Sequence, residues 1–184
     1  AISAAITTVM PTAIPTPITY HKELNLPKLN TYQQKYLDMA LTLPVYPDRY
    51  GLLDKRSLPL NKEALTWYAA LIYSEIAYYP FDEYGNAKTS SVGCIGFGQI
   101  CNFHICPENG GITPEDAEIV EKNAYASACY FSDLLVEYGY DYELVLAIYK
   151  GASYWDADAG KERINPEYQS QVDLATSVLV DVQD

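Results

Sequence analysis

The chain has 184 residues, enough for one domain with a sizeable hydrophobic core and too few for two comfortable ones. Twelve Lys and Arg against 24 Asp and Glu leave a net charge of −12, which argues against phosphate-directed nucleic-acid binding and against docking on an anionic membrane. A hydrophobic content of 49% with 20% charged residues argues against a disordered chain, and no apolar run approaches the ~20 residues of a membrane span.

Residues 1–30 hold Pro11, Pro15, Pro17 and Pro27 among Ala, Thr and Ile, and read as an extended arm laid on the domain or on a partner. The stretch has no basic n-region of a signal peptide. From residue 31 to 184 the signals are those of one mainly α domain. A first helix is expected over Thr31–Leu43, followed by a Pro-rich loop to Leu60. Asn61 is placed to N-cap a second helix that Pro80 stops near Tyr79. Residues 81–93, rich in Gly, Asn and Ser, read as a small hairpin or irregular flap. Thr113 with Pro114 and Asp116 opens a helix reaching Tyr138, with a break near Asn123. Asp141 caps another to about Lys150, and Asn165–Pro166 opens a last helix through Val178 and Leu179.

The second helix carries the first chemical signal. Its apolar positions include Leu71, Ile72 and Ile76, and Glu75 lies four after Leu71 and three after Ile72, on the face expected to be buried. A carboxylate stripped of water favours its protonated form and can hand a proton to a leaving oxygen; the plainer reading is a boundary residue paired with Lys or Arg. The second signal is Ser90-Ser-Val-Gly93-Cys-Ile-Gly96-Phe-Gly98-Gln99-Ile100, where three glycines in six residues call for tight backbone. The run lacks the Gly-Lys-Ser/Thr ending of a phosphate loop.

Together these segments resemble the goose-type lysozyme and soluble lytic transglycosylase superfamily, which cleaves peptidoglycan glycan strands. Five blocks carry the resemblance in the family's order. They are Glu75 with Tyr78, Tyr79 and Pro80; Ser90 through Gly93, Gly96, Gln99 and Ile100; Asn123 through Ser127, Tyr130 and Leu134; Leu146-Ala-Ile-Tyr149-Lys150-Gly151; and Pro166, Tyr168 and Val172. The resemblance covers 75–172 and leaves residues 1 to about 60 outside it. It implies a lysozyme-like α+β fold, a helical catalytic domain with a hairpin or flap beside its cleft. It implies Glu75 as catalytic acid/base and Ser90, Gln99, Tyr149, Tyr78 and Lys150 as substrate-binding residues, with Tyr149 placed to hydrogen-bond Glu75 or the sugar. Departures include Ile76 where the family has Ser, Lys150 where it has Asn, and a different run at 101–111; they point to a divergent member such as a viral wall enzyme.

The implied activity is cleavage of the MurNAc–GlcNAc β-1,4 bond. An inverting hydrolase needs a second carboxyl group ~6.5–9.5 Å from the first, and Asp82 and Glu83 are the nearby candidates. A lytic transglycosylase needs none, because the sugar's own C6 hydroxyl attacks; this single-Glu route is the expected one. A chitinase-like hydrolase on the same scaffold, or an inactive wall-binding or virion protein, are the alternatives. The partners implied are peptidoglycan glycan strands and a larger virion or wall-penetrating assembly reached through residues 1–30, in an extracytoplasmic setting.

Four cysteines permit three pairings, and bridges and buried thiols both remain open from count alone. The resemblance puts Cys94 and Cys129 at positions the family fills with small buried residues, so the expected pairs are Cys94–Cys129 and Cys101–Cys106. Cys101, His104 and Cys106 lack the second half of a zinc site, and Asp156-Ala-Asp158-Ala-Gly160 lacks the glycine an EF-hand needs. No metal or other cofactor is expected. His21 is read as a surface residue.

Overall fold

The computed structural model describes residues 20–101 and 112–183, and five α-helices and four short strands fall among them. The order is β1 (Tyr20–Leu24), α1 (Thr31–Thr42), α2 (Lys62–Ile76), α3 (Val120–Glu137), α4 (Tyr142–Tyr149), β2 (Ser153–Asp156), β3 (Lys161–Ile164), α5 (Gln169–Thr176) and β4 (Leu179–Gln183). Strand β1 pairs antiparallel with β4, and β2 with β3. This is a mixed α and β architecture weighted toward helix. No helix among the described residues is long and apolar enough to cross a membrane.

Local signals place most helix starts. The Asn30 side chain accepts from the Tyr32 and Gln33 N–H groups, and Gln33 reaches back to Asn30 N, a capping box that opens α1. Asn61 and Asp141 cap α2 and α4 through the N–H groups of Ala64 and Leu144. Helix α2 stops three residues before the expected end. Ala77 and Tyr78 take left-handed φ values of 48° and 59°, and that turn swings Tyr78 back into the core. Between residues 113 and 119 the chain makes only a 3-10 turn, Asp116–Glu118, so α3 begins later than Thr113. It then runs unbroken through Asn123, contrary to the expected break, because the Asn123 side chain is engaged elsewhere (below).

The last helix is also shorter than expected. Leu179–Gln183 leaves it to pair with Tyr20–Leu24, with Lys22 opposite Asp181 and their side chains 2.8 Å apart. Residues 20–24, counted in the arm by sequence, are thus laid on the domain as an edge strand; residues 1–19 lie outside the described part. The Asp156–Gly160 run closes the β2–β3 hairpin. Asp156 Oδ1 accepts from the Asp158 and Ala159 N–H groups and its Oδ2 meets Arg163 Nε at 2.7 Å. Among the described residues no group of three His, Cys, Asp or Glu side chains could hold a metal ion.

The core lies between α1, α2, α3 and α4, and tyrosines fill much of it. Tyr68, Tyr78, Tyr125 and Tyr149 are buried, and each hydroxyl donates to a main-chain carbonyl: Ala124, Ala69, Arg56 and Gly98 in turn. Burial pushes the phenols of Tyr68, Tyr78 and Tyr149 upward, so they serve as neutral donors.

Asn123 joins α3 to the glycine-rich segment. Fully buried, it accepts from Gly98 N–H at 2.7 Å and donates to the carbonyls of Ile95 and Ala117, both at 2.8 Å. Asn123→Leu leaves one buried N–H and two carbonyls unpaired. We expect a loss of about 3 kcal/mol or more in urea unfolding, since each orphaned group costs ~1–3 kcal/mol. A Cβ at Gly98 would overlap the Ser127 side chain, so Gly98→Ala should cost about 1–3 kcal/mol in the same assay.

Candidate active site

The segment after α2 folds into two small turns that form one wall of a cleft. In the first, Phe81 and Ala87 bridge around a turn tied by Asp82, whose Oδ1 accepts from the N–H groups of Tyr84 and Asn86. Its Oδ2 accepts from the Asn86 side chain. In the second, Ile95 and Ile100 exchange both backbone hydrogen bonds, each 2.9 Å, around Gly96–Gln99. Cys94 and Cys101 stand next on this hairpin and are joined by a disulfide. That bond corrects the expected pairing. Cys129 is free and buried in α3, its place in the core removing it from the hairpin. Cys106 and His104 lie outside the described residues, as does the rest of the 102–111 run.

Ser90, Gln99 and Glu75 line both of two adjoining cavities, of about 510 and 360 Å³. Asp82 and Lys88 line the larger one; Tyr149 and Lys150 line the smaller. A hollow of about 670 Å³ at the start of α1 is roomier but carries no such chemistry, and Asn30 there is already used in capping.

Glu75 is the next-to-last residue of α2, and Lys150 follows α4 as its C-cap. Their side chains are 17% and 7% exposed, and Lys150 Nζ donates to Glu75 Oε1 at 2.6 Å and to Ser74 Oγ at 3.0 Å. The carboxylate that sequence placed on a buried face therefore meets a buried cation instead of a purely apolar wall. Its Oε2 has no hydrogen-bond partner among the described residues.

The other sequence candidates separate clearly. Ser90 Oγ accepts from Cys94 N–H, closing the turn at the cleft edge. Gln99 holds a left-handed φ of 49°, unusual for a side-chain-bearing residue, and its amide donates to Gly96 O. Tyr149 stands beneath the cleft, but its hydroxyl donates to Gly98 O, not to Glu75. Tyr78 is not brought to the cleft at all: its ring is fully buried and its hydroxyl is bonded to Ala69 O, which corrects its assignment to substrate binding. Glu83 is exposed and lines neither cavity. Lys88, over the Tyr79 ring at 5.6 Å, was not singled out by sequence; its only signal there is a position two residues before Ser90.

The chain matches no protein-family model, no curated protein and no solved structure.

Removing one member of the Lys150–Glu75 pair strands a largely buried charge. Lys150→Met should destabilise by about 2–4 kcal/mol, and adding Glu75→Gln should restore much of the loss, a coupling readable from a double-mutant cycle. The Asn86 N–H, with the Asn86 amide and the Tyr84 N–H, holds Asp82 below the usual carboxylate range. A lowered folded value stabilises the turn above the unfolded pKa of about 3.9, and this is lost as pH falls through the lower value. The amide shifts of Tyr84 and Asn86 should report that loss at acid pH, and Asp82→Asn should abolish the titration.

Proposed function

We propose that the chain cleaves the MurNAc–GlcNAc β-1,4 bond of peptidoglycan as a lytic transglycosylase, with Glu75 as its single acid/base. The observation that carries the reading is one largely buried carboxylate where two cavities meet, held by Lys150 through one oxygen and without a hydrogen-bond partner among the described residues at the other. Lys150 occupies Oε1, so in this reading Oε2 is the oxygen that exchanges protons with the sugar. Glu75 gives that proton to the glycosidic oxygen as the C1–O bond breaks. It then takes the proton of the C6 hydroxyl as that oxygen bonds C1, so the product is a 1,6-anhydro sugar and the carboxyl group is regenerated. The place of Asp82 supports the single-carboxylate route over inversion: both its oxygens accept hydrogen bonds within its own turn, which commits the carboxylate to holding that turn. The five sequence blocks in family order support the same assignment.

The setting we propose is extracytoplasmic, with the Cys94–Cys101 disulfide consistent with an oxidising compartment. The net charge of −12 gives no long-range attraction to a carboxylate-rich wall, which supports delivery by a larger assembly, reached through residues 1–30, over free diffusion.

A second reading is a wall-binding protein without catalysis. The Lys150–Glu75 ion pair favours it, because it commits the carboxylate to a neighbour. Digestion of purified sacculi separates the two. Wild type should release 1,6-anhydro muropeptides, and Glu75→Gln should be slower by at least about 10²-fold. Equal rates for the two proteins refute Glu75 catalysis; sacculus binding without release supports the second reading; reducing ends without anhydro sugars replace transglycosylation by hydrolysis.

A further inference from the structure

We infer that Lys88 is a specificity-determining residue that reads a carboxylate on the glycan, making the cleft selective for acidic, peptide-bearing strands over neutral ones. This rests on the glycan-cleft reading above and adds to it the substrate feature recognised.

Four observations carry it. First, Lys88 lines the same cavity as Glu75, Ser90 and Gln99, so a ligand bound across Glu75 lies within reach of its side chain. Second, its backbone is pinned from both sides: Lys88 N–H donates to Pro80 O at 2.8 Å, and its carbonyl accepts from Gly96 N–H at 2.7 Å. The side chain is thereby presented from a fixed point on the cleft wall. Third, its ammonium lies over the Tyr79 ring, and among the described residues no carboxylate is within ion-pair distance of it. In a chain with twice as many acids as bases this is a cation left without a counter-ion at the cavity that holds Glu75.

Fourth, the other charged groups around the cleft have partners of their own and do not occupy Lys88. Lys150 is paired with Glu75, and Asp82 is engaged by the N–H groups of its own turn. An incoming carboxylate therefore finds Lys88 as a cation not paired among the described residues, with the Asp82 anion held in its own turn on the same cavity wall. A neutral glycan gains nothing from Lys88, whereas an acidic one acquires a charge-assisted hydrogen bond in a partly desolvated site.

The test uses the full chain and three ligands too short to contain the scissile bond: a GlcNAc–MurNAc disaccharide bearing its peptide with free carboxylates, the same ligand with those carboxylates converted to amides, and chitobiose. Affinities are measured by titration calorimetry for wild type, Lys88→Met and Lys88→Arg. Wild type should prefer the free-carboxylate ligand over its amide by about tenfold. Lys88→Met should erase that preference while leaving the amide ligand and chitobiose unchanged, and Lys88→Arg should keep most of it. Equal affinity of wild type and Lys88→Met for the free-carboxylate ligand overturns the inference, as does an equal loss on all three ligands. Those results leave the Glu75 reading intact, because it is judged by product formation from sacculi. If none of the ligands binds any of the proteins while wild type still digests sacculi, Lys88 recognition alone is overturned. If digestion fails as well, both fall.

Discussion

A single buried amide organises the site. Asn123 sits in the first turn of α3 and uses its near-planar hydrogen-bonding edge on the chain between α2 and α3, taking one N–H from Gly98 and giving two to the carbonyls of Ile95 and Ala117. Such a group is costly to bury unsatisfied, so the hairpin has one register in which the amide is content. Glycine at 96 and 98 follows from the same contact. A side chain at Gly96 would meet the Asn123 amide, and one at Gly98 would meet Ser127, with Tyr149 close behind. Tyr149 and Tyr68 then complete the network, through Gly98 O on one side and Ser127 and Ala124 on the other. The left-handed Gln99 comes at the end of this tightly held loop, where the surrounding bonds can sustain an unfavourable backbone.

The electrostatics of the cleft contrast with those of the whole chain. A protein of net charge −12 repels acidic ligands at long range, yet around Glu75 the balance is local neutrality. Lys150 offsets Glu75 in a short, largely buried pair, and burial makes removing either partner alone costly. An asparagine at position 150, which the sequence resemblance leads one to expect, would be a neutral donor. Lysine there makes the site ionic and ties the ends of α2 and α4 together across the cleft floor.

The 18 tyrosines of the chain serve more than one structural purpose. The buried tyrosines act as long struts, each with an apolar ring in the core and a hydroxyl that reaches a main-chain carbonyl, inside a helix at Ala69 and Ala124 and outside one at Arg56 and Gly98. At Tyr125 and Tyr149, phenylalanine would fill the same volume and take away the donor that Arg56 O and Gly98 O use. The exposed Tyr79 plays a different part, as a shelf for Lys88 at the cavity rim. One residue type thus builds the floor of the cleft and part of its edge, and only the neighbourhood of each ring tells the two roles apart.

Much of the helical framework was legible from sequence, because caps and apolar periodicity act within a few residues. Asn30, Asn61 and Asp141 make their bonds to N–H groups two or three residues on, so their effect needs no tertiary partner. The burial tendency of Glu75 was readable for the same reason, as a position on a helix face. What lay beyond the sequence was every contact between distant segments: the β1–β4 pairing of the two ends of the described chain, the Cys94–Cys101 bond in place of Cys94–Cys129, and the removal of Tyr78 from the cleft by two left-handed residues. The counter-ion of Glu75 and the placement of Lys88 were decided in the same way. Local hydrogen bonds are determined by spacing along the chain, whereas pairing partners, cavity walls and charge neighbours depend on how segments far apart are brought together, and only the tertiary structure decides that.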